Sequence, residues 1–285
     1  MPVTSKGGTI SNPLRIELNN PDAVYQPGET IYGQVALTLS NEQHPRRVTL
    51  HAIGTEFTNW GTEPAYIART HPLDATLDMW TPKREGEALA AGTHTFPFAI
   101  GLPARLPPSF DGLLTEIGYG LKAKADLPMQ IDLHADVGFI VLAVAPAVED
   151  KPITIDAGDE AGRLISLELP RSVYRLGEAI GGAVHVVRPG AGQSRRLTVE
   201  LLSRERGGAQ GVWTEYVERE ADFRVELERV VEGTTYPFTF KVPDSAAPSF
   251  SGEHSVLTWH VSARLDVIRA PDLIADAIIA VVESG

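Results

Sequence analysis

Apolar and polar residues alternate in short runs along the whole chain. The clearest runs are residues 14–18, 31–39, 47–53 and 113–127. Alternation with a period of two is typical of β-strands that bury one face. Asn-Pro and Pro-Gly pairs separate the runs, and Gly28 is predicted to take a positive φ in the turn after Pro27. The pattern predicts an all-β chain of short strands packed as a sandwich.

The second half of the sequence repeats the first. FPFAIGLPARLPPSFDG, residues 96–112, returns as YPFTFKVPDSAAPSFSG, residues 236–252, at a shift of 140. Residues 25–54 align with 174–203 at a shift of 149. The difference between the two shifts predicts nine additional residues in the first copy between Gly54 and Phe96, in an aromatic-rich segment. A repeat of this length predicts two tandem immunoglobulin-like β-sandwich domains.

The two copies define the predicted domains. Residues 1–147 are expected to form the N-terminal sandwich and residues 163–285 the C-terminal one. The acidic stretch 148–162 is predicted to be an exposed linker with one short strand at 153–155. The nine extra residues are either a neutral insertion or a place where function was added.

Charge and composition exclude several classes of protein. The net charge is −12 and both halves are acidic, which argues against nucleic acid or an anionic membrane as the primary partner. There is no cysteine, so disulfides and cysteine metal sites are excluded. Because no signal-like or membrane-spanning apolar run occurs, we expect a cytoplasmic protein without an integral membrane segment.

The sequence carries no catalytic constellation. Asp132, His134 and Asp136 alternate with apolar residues, so on a strand they would share one face and could hold a divalent metal. A solvated polar face explains the same pattern, and we prefer this interpretation. Ser109 and Ser249 recur in both copies and are predicted to stabilise turns. Gly181-Gly182 lies within a predicted strand and indicates a bulge or close packing. We therefore predict no metal, no cofactor and no enzymatic activity.

Two groups of residues are candidates for binding a partner. The first group is aromatic and could form a stacking platform for a small ligand or carbohydrate; it consists of Phe57, Trp60, Tyr66 and Trp80. The second group is basic and begins equivalent strands in the two copies; it consists of Arg46, Arg47, Arg195 and Arg196. A structural role is the preferred interpretation of the arginines, and contact with an acidic or phosphorylated partner is the alternative.

An ordered set of motifs resembles the arrestin superfamily. It comprises Tyr-x-Pro-Gly-Glu-x-x-x-Gly-x-Val at 25–35, Phe-x-Phe-x-x-x-Leu-Pro at 96–103, Leu-Pro-Pro-Ser-Phe-x-Gly at 106–112 and Tyr-x-Leu-x-Ala at 119–123. The second copy departs from it at Leu176, Val242 and Trp259. In length the chain is most similar to the short bacterial sporulation-control members. No Pro-Pro-x-Tyr motif occurs, and we expect no long regulatory tail after the last predicted strand.

The resemblance implies two arrestin-like β-sandwiches that act as an adaptor by docking partners on loops, strand edges and a concave side. We therefore predict a non-enzymatic cytoplasmic adaptor or scaffold that binds protein partners in signalling or regulation. The alternative prediction is a small-ligand or carbohydrate-binding module that uses the aromatic segment 55–95.

Overall fold

The computed structural model describes a chain built from β-strands. Within the described residues there is no helix. Those residues are 12–62, 65–84, 86–144, 149–160, 162, 164–188, 194–226, 233–267, 269 and 271–283, while the side chains of 194, 195, 226 and 267 are not described.

The described strands fall into two series. The first series is β1 (Leu14–Leu18), β2 (Val24–Tyr25), β3 (Thr30–Leu39), β4 (Arg47–Trp60), β5 (Tyr66–Trp80), β6 (Gly92–Gly101), β7 (Phe110–Asp111), β8 (Thr115–Asp126) and β9 (Leu133–Val141). The second series is β10 (Ile153–Gly158), β11 (Leu164–Leu169), β12 (Val173–Arg175), β13 (Ala179–Arg188), β14 (Ser194–Ala209), β15 (Val212–Glu226), β16 (Thr234–Lys241), β17 (Phe250–Ser251), β18 (Ser255–Val267) and β19 (Leu273–Val282).

The two series have the same sheet topology. In the first, one sheet has the order β1-β3-β6 and the other the order β2-β9-β8-β4-β5, with β7 paired to β8. In the second, β11-β13-β16 and β12-β19-β18-β14-β15 repeat these orders, with β17 on β18. In each series the short second strand pairs in parallel with the last strand. The prediction of two tandem β-sandwiches is confirmed.

The chain divides into two compact units that do not coincide with the two copies. Unit 1 contains the described residues up to Thr55 together with His71–Leu106 and Gly118–Val141. Unit 2 contains Glu56–Thr70, Pro107–Ile117 and the described residues from Leu142 onward. Two segments of the first copy therefore belong to the same compact unit as the second copy.

Most of the predicted linker lies within unit 2. The strand expected at 153–155 is present as β10, which adds to the edge of β11 in antiparallel register. The Asp150 carboxylate accepts hydrogen bonds from the backbone N–H groups of Ser172 (2.9 Å) and Val173 (3.1 Å). The hydrogen bond from Arg171 is the main reason that the pKa of Asp150 lies below its ordinary value. The predicted boundary at 147 falls on residues outside the described part of the chain.

The Pro-Gly-Glu motif forms a turn that is closed by its own glutamate. Gly28 has a φ of 87°, as predicted, and Gly177 in the second copy has a φ of 77°. The Glu29 carboxylate accepts the Gln26 N–H at 2.8 Å, and the Glu29 carbonyl accepts the Leu102 N–H at 2.8 Å. These bonds fasten the turn to the Leu-Pro segment after β6, which explains why the two motifs occur together.

The nine extra residues of the first copy are in two places. The β4–β5 turn is three residues longer than the Gln210-Gly211 turn that joins β14 to β15. Fifteen residues lie between Trp80 and Phe96, six more than the nine that lie between Glu226 and Tyr236. Both places lie between Gly54 and Phe96, where the sequence predicted the extra residues. The strands β5 and β15 are equally long, at 15 residues each, so the extra residues lie before and after a regular strand.

Two glycines allow an aromatic ring to approach the backbone of the central strands. A Cβ atom on Gly182 would lie 2.5 Å from the Phe238 ring and 2.9 Å from the Glu168 carbonyl oxygen. Gly33 of the first copy has the same relation to Phe98, at 2.6 Å. The predicted close packing at Gly182 is confirmed, and it explains the Phe-x-Phe motif on β6 and β16.

We expect Gly182→Ala to lower the free energy of unfolding by about 1–3 kcal/mol, because the added methyl group overpacks the core against Phe238. Gly181→Ala is the matched control, since a Cβ there meets no atom within 4 Å. It should change stability by no more than about 0.5 kcal/mol. Urea denaturation of both variants measures the difference, and equal destabilisation would contradict the packing explanation.

Candidate functional site

The two Pro-Ser-Phe-x-Gly segments meet inside unit 2. The rings of Phe110 and Phe250 pack with their centroids 4.9 Å apart and their planes inclined by 59°. These residues are equivalent at the shift of 140. Ser249 ties its segment to β19, because its hydroxyl accepts the Val281 N–H at 3.0 Å, as predicted for a turn-stabilising serine.

A buried glutamate lies beneath each of these segments. Glu205 is 6% exposed, and its carboxylate accepts the backbone N–H groups of Leu113, Leu114 and Thr115 at 2.8–2.9 Å. It also accepts the Thr115 hydroxyl at 3.0 Å. The carboxylate therefore caps the turn that follows the first Pro-Ser-Phe segment.

Glu56 makes the reciprocal set of bonds. It is 1% exposed and accepts the N–H groups of Glu253 (3.1 Å) and His254 (2.8 Å) and the Ser255 hydroxyl (2.5 Å). Glu56 and Glu205 are equivalent at the shift of 149. Each glutamate of one copy thus binds the turn of the other copy. We call this pair of glutamates, with the two turns, the glutamate clamps.

The glycine of each Pro-Ser-Phe-x-Gly segment makes room for a clamp. A Cβ atom on Gly112 would lie 2.4 Å from the Glu205 Oε1 atom, and one on Gly252 would lie 2.4 Å from the Glu56 Oε1 atom. Sequence reasoning missed the clamps. The available signal was a glutamate at the same inward-facing strand position in both copies.

The clamp carboxylates are structural groups. Burying an ionised carboxylate is costly unless donors replace its hydration, and three or four donors do so here. Because these lone pairs are engaged, neither glutamate is placed to accept a proton from a substrate.

A recess of about 860 Å³ lies beside the Glu205 clamp in unit 2. Its walls are the first Pro-Ser-Phe turn, one face of β15 and the turn that precedes the second Pro-Ser-Phe segment. The lining residues are Ser109–Leu113, Ser203, Glu205, Tyr216, Glu218, Glu220, Pro243, Ser245–Pro248, Leu257 and Trp259. We call it the acidic recess.

The carboxylates of the acidic recess are poorly compensated. Burial raises the pKa of Glu220, the neighbouring charge of Glu218 raises it further, and a hydrogen bond from the Ser203 hydroxyl opposes both. Among the described residues, Asp111, Glu218 and Glu220 form no ion pair. Tyr216 lies on the same wall and is 41% exposed. Carboxylates beside an aromatic ring in a concave site favour a bound cation.

The four predicted aromatic residues do not form one platform. Trp60 and Tyr66 stack at 4.1 Å with nearly parallel rings. Phe57 lies on the opposite face of β4 from Trp60, and the Arg69 guanidinium covers its ring at 5.0 Å. Trp80 belongs to unit 1, whereas the other three belong to unit 2. Their role in binding stays a prediction.

The described arginines among the four predicted ones have different surroundings. Arg46 is exposed and pairs with Asp126 at 3.3 Å. Arg47 is exposed at the start of β4, and Arg196 is half-buried on β14 in unit 2. The side chain of Arg195 lies outside the described part of the chain. Arg46 and Arg47 belong to unit 1 and Arg196 to unit 2, and the contact of the four arginines with a partner stays a prediction.

One of the three residues considered for a metal does not lie on the expected strand. Asp132 precedes β9, and its carboxylate binds the Lys124 ammonium at 2.8 Å and the Leu127 N–H at 3.2 Å. The hydrogen bond from Lys124 is the main cause of the lowered pKa of Asp132. Only His134 and Asp136 lie on the strand itself. No group of three metal-binding side chains occurs within the described residues.

We expect Glu205→Ala to lower the free energy of unfolding by about 3 kcal/mol, because it leaves buried N–H groups without acceptors. Glu205→Gln should cost less, since its amide oxygen can replace Oε1, which accepts three of the four bonds. Glu215→Ala on exposed β15 is the control and should stay within about 0.5 kcal/mol. Thermal and urea unfolding test this, and equal loss in both alanine variants would refute it.

Glu220→Gln should have the opposite effect at neutral pH and raise the unfolding midpoint. The folded-state pKa of Glu220 lies above the ordinary value of 4.5, so protonation stabilises the fold and this contribution is lost as pH rises through the folded-state pKa. Glutamine imitates the protonated acid at every pH. The advantage of the variant should therefore disappear well below pH 4.5. An advantage that persists unchanged in acid would contradict the assignment.

Comparison with known proteins agrees with the fold. Residues 14–146 match the family described as arrestin (or S-antigen), N-terminal domain. Arrestin domain-containing protein 17 of Caenorhabditis elegans is 27% identical over 148 residues, which cover 46% of this chain and 34% of that protein. Arrestin domain-containing protein 5 of Bos taurus is 34% identical over 116 residues, covering 38% of this chain and 35% of that protein.

A fungal protein extends the similarity further along the chain. The pH-response regulator protein palF/RIM8 of Candida glabrata is 24% identical over 181 residues, covering 53% of this chain and 28% of that protein. The matches thus span about a third of the length of these relatives. Within the described residues, no helix has the length and hydrophobicity of a membrane span. The match of residues 14–146 and the sheet topology shared by the two series support membership of the arrestin superfamily.

Proposed function

We propose that this chain is a non-enzymatic adaptor that docks protein partners in the cytoplasm, in signalling or regulation. The observation that carries the proposal is the acidic recess, a concave site of about 860 Å³ in an arrestin-like fold. Its size is in the range of sites that enclose a short peptide segment or a small ligand. The similarity to a pH-response regulator protein supports a regulatory role.

The chemistry of the recess favours a partner segment with a basic side chain. Glu218 and Glu220 lie together on one wall, and partial burial of Glu220 makes its negative charge costly. A lysine or arginine from a partner would neutralise this charge and could pack its alkyl stem or guanidinium on Tyr216. Electrostatic complementarity of this kind gives specificity and speeds association.

The buried acids support an adaptor more than an enzyme. A general acid or base must reach the reacting atoms with a free proton or lone pair. Glu56 and Glu205 instead use their oxygens to hold backbone turns.

The small-ligand or carbohydrate alternative rests on the aromatic segment 55–95. Trp60 and Tyr66 each use one ring face to stack on the other, and Arg69 covers the ring of Phe57. Fewer ring faces are therefore available to a sugar than the sequence suggested. We place this alternative second.

Peptide display on the purified chain tests the proposed recess. We expect enrichment of peptides that contain arginine or lysine. Glu218→Lys should lower their affinity at least about tenfold, because reversing one close charge changes the binding free energy by more than about 1.4 kcal/mol. Glu215→Lys is the matched control, because it makes the same charge change on the other face of β15.

Three results would count against the proposal. Peptides without basic residues, or equal loss of affinity in the two lysine variants, would exclude the recess as the docking site. Turnover of a small molecule by the purified chain that Glu218→Lys abolishes would replace the adaptor with an enzyme.

A further inference from the structure

The strand β15 of unit 2 has an open edge. Its sheet has the order β12-β19-β18-β14-β15, so β14 is the neighbour of β15 on one side and no described strand pairs with its other side. At 15 residues, β15 is much longer than the usual strand of about five or six residues. A long open edge presents a row of backbone N–H and C=O groups that can pair with another strand.

The position of one glycine shows which backbone groups face the open edge. Gly208 of β14 lies opposite Trp213, and its N–H donates to the His254 carbonyl at 2.8 Å. His254 directly precedes β18, which is the neighbour of β14 on the side away from β15. Opposite residues of an antiparallel pair alternately bond each other or turn their backbone groups outward. The residues of β15 that turn these groups to the open edge are therefore Trp213, Glu215, Val217 and Arg219.

The equivalent strand of the first copy is protected against pairing, and β15 is not. β5 also ends its sheet, and it contains Pro72 within the strand. Proline lacks an N–H group and is one means by which proteins keep an edge strand from pairing. In β15 the equivalent residue is Glu218, and the ladder with β14 is regular as far as the register shift between Leu201 and Leu202. Residues 212–219 therefore form a continuous unprotected edge.

Apolar side chains border this edge on both faces of the sheet. Val212, Trp213, Tyr216 and Val217 are each 41–44% exposed. Successive residues of a strand alternate, so Trp213 and Val217 lie on one face and Val212 and Tyr216 on the other. Among the described residues of β5, Ile67 is the large apolar residue with comparable exposure. A strand added to the edge of β15 would therefore cover apolar groups on both of its faces.

The charges on this edge are complementary to those of a second copy. If two copies pair as antiparallel strands about a twofold axis at Val217, Glu215 of each copy lies opposite Arg219 of the other. Among the residues that the structure describes, Glu215 forms no ion pair, and Arg219 binds Glu200 through Nε at 2.6 Å. A guanidinium has five N–H donors, so it can serve two carboxylates. An axis at Glu215 would instead place two carboxylates face to face.

We propose that β15 is the interface of a twofold homodimer, in which residues 215–219 of two copies pair as antiparallel strands with Val217 opposite Val217. The residues that meet in this register are those whose backbone groups face the open edge, so each copy supplies donors and acceptors to the other. The assembly closes at two copies, because the twofold pairing uses the β15 edge of each chain. Tyr216 and Glu218, which line the acidic recess, lie on the opposite face of the strand from Glu215 and Arg219.

Cysteine crosslinking tests the register, because the chain contains no cysteine of its own. In the proposed dimer, the Cα atoms of two Val217→Cys residues lie about 5.5 Å apart, within the range of a disulfide. Val212→Cys is the matched control, since Val212 lies on the same strand and is 43% exposed against 44% for Val217. Its two copies would be about 34 Å apart, at about 3.4 Å per residue. On mild oxidation, Val217→Cys should form a disulfide-linked dimer at least about tenfold faster than Val212→Cys.

Light scattering of the full chain tests the interface without a crosslink. The mass of the unaltered chain should rise with concentration from one copy to two, whereas Val217→Pro should remain a single copy. The fold tolerates this proline because the Val217 N–H faces the open edge and does not bond β14. Ile278→Ser is the control, since it removes an exposed apolar side chain from β19 and leaves the edge intact. Unfolding midpoints confirm that each variant remains folded.

Four results would overturn the proposal. The unaltered chain could have the mass of one copy at every concentration at which it stays in solution, or it could form assemblies larger than two copies. The two cysteine variants could crosslink at the same rate. Finally, a dimer that Val217→Pro leaves intact would place the interface away from β15.

Discussion

The buried carboxylates of Glu56 and Glu205 impose the strongest local constraint on this fold. An ion removed from water costs several kcal/mol unless hydrogen-bond donors replace its hydration. Here the donors are backbone N–H and hydroxyl groups of turns that lie 90–92 and 197–199 residues away in sequence. Those turns must approach closely, so Gly112 and Gly252 cannot carry a side chain. The form of the Pro-Ser-Phe-x-Gly motif is therefore explained by a glutamate in the other copy.

Local rules predicted much of the fold. Strand alternation, the Pro-Gly turn at Gly28 and the tight packing at Gly182 each depend on residues close in sequence or on a partner strand of the same sheet. The internal repeat then fixed the number of sandwiches. The short strand in the predicted linker was also correct, although its pairing with β11 needed the structure.

The candidate site was much less predictable, because its parts are distant in sequence. No pattern around Glu205 indicates that it binds Thr115, and no pattern around Tyr216 places it beside the Ser109–Leu113 turn. The predicted aromatic residues do not share one surface, and the reason is local. Phe57 and Trp60 are three residues apart on one strand, so their side chains point to opposite faces.

Both copies contain a glutamate clamp, but the side chains on the equivalent strands β5 and β15 differ. Tyr216, Glu218 and Glu220 on β15 correspond to Thr70, Pro72 and Asp74 on β5, since both strands have the same length. Thr70 hydrogen-bonds Glu56, and Asp74 has His51 as a partner at 2.8 Å. Glu220 instead has only the Ser203 hydroxyl among the described residues, and burial opposes its charge. Glu220 on β15 therefore lacks the basic partner that the equivalent Asp74 has on β5. This difference is expected if duplication preserved the fold and left the second copy to acquire a ligand.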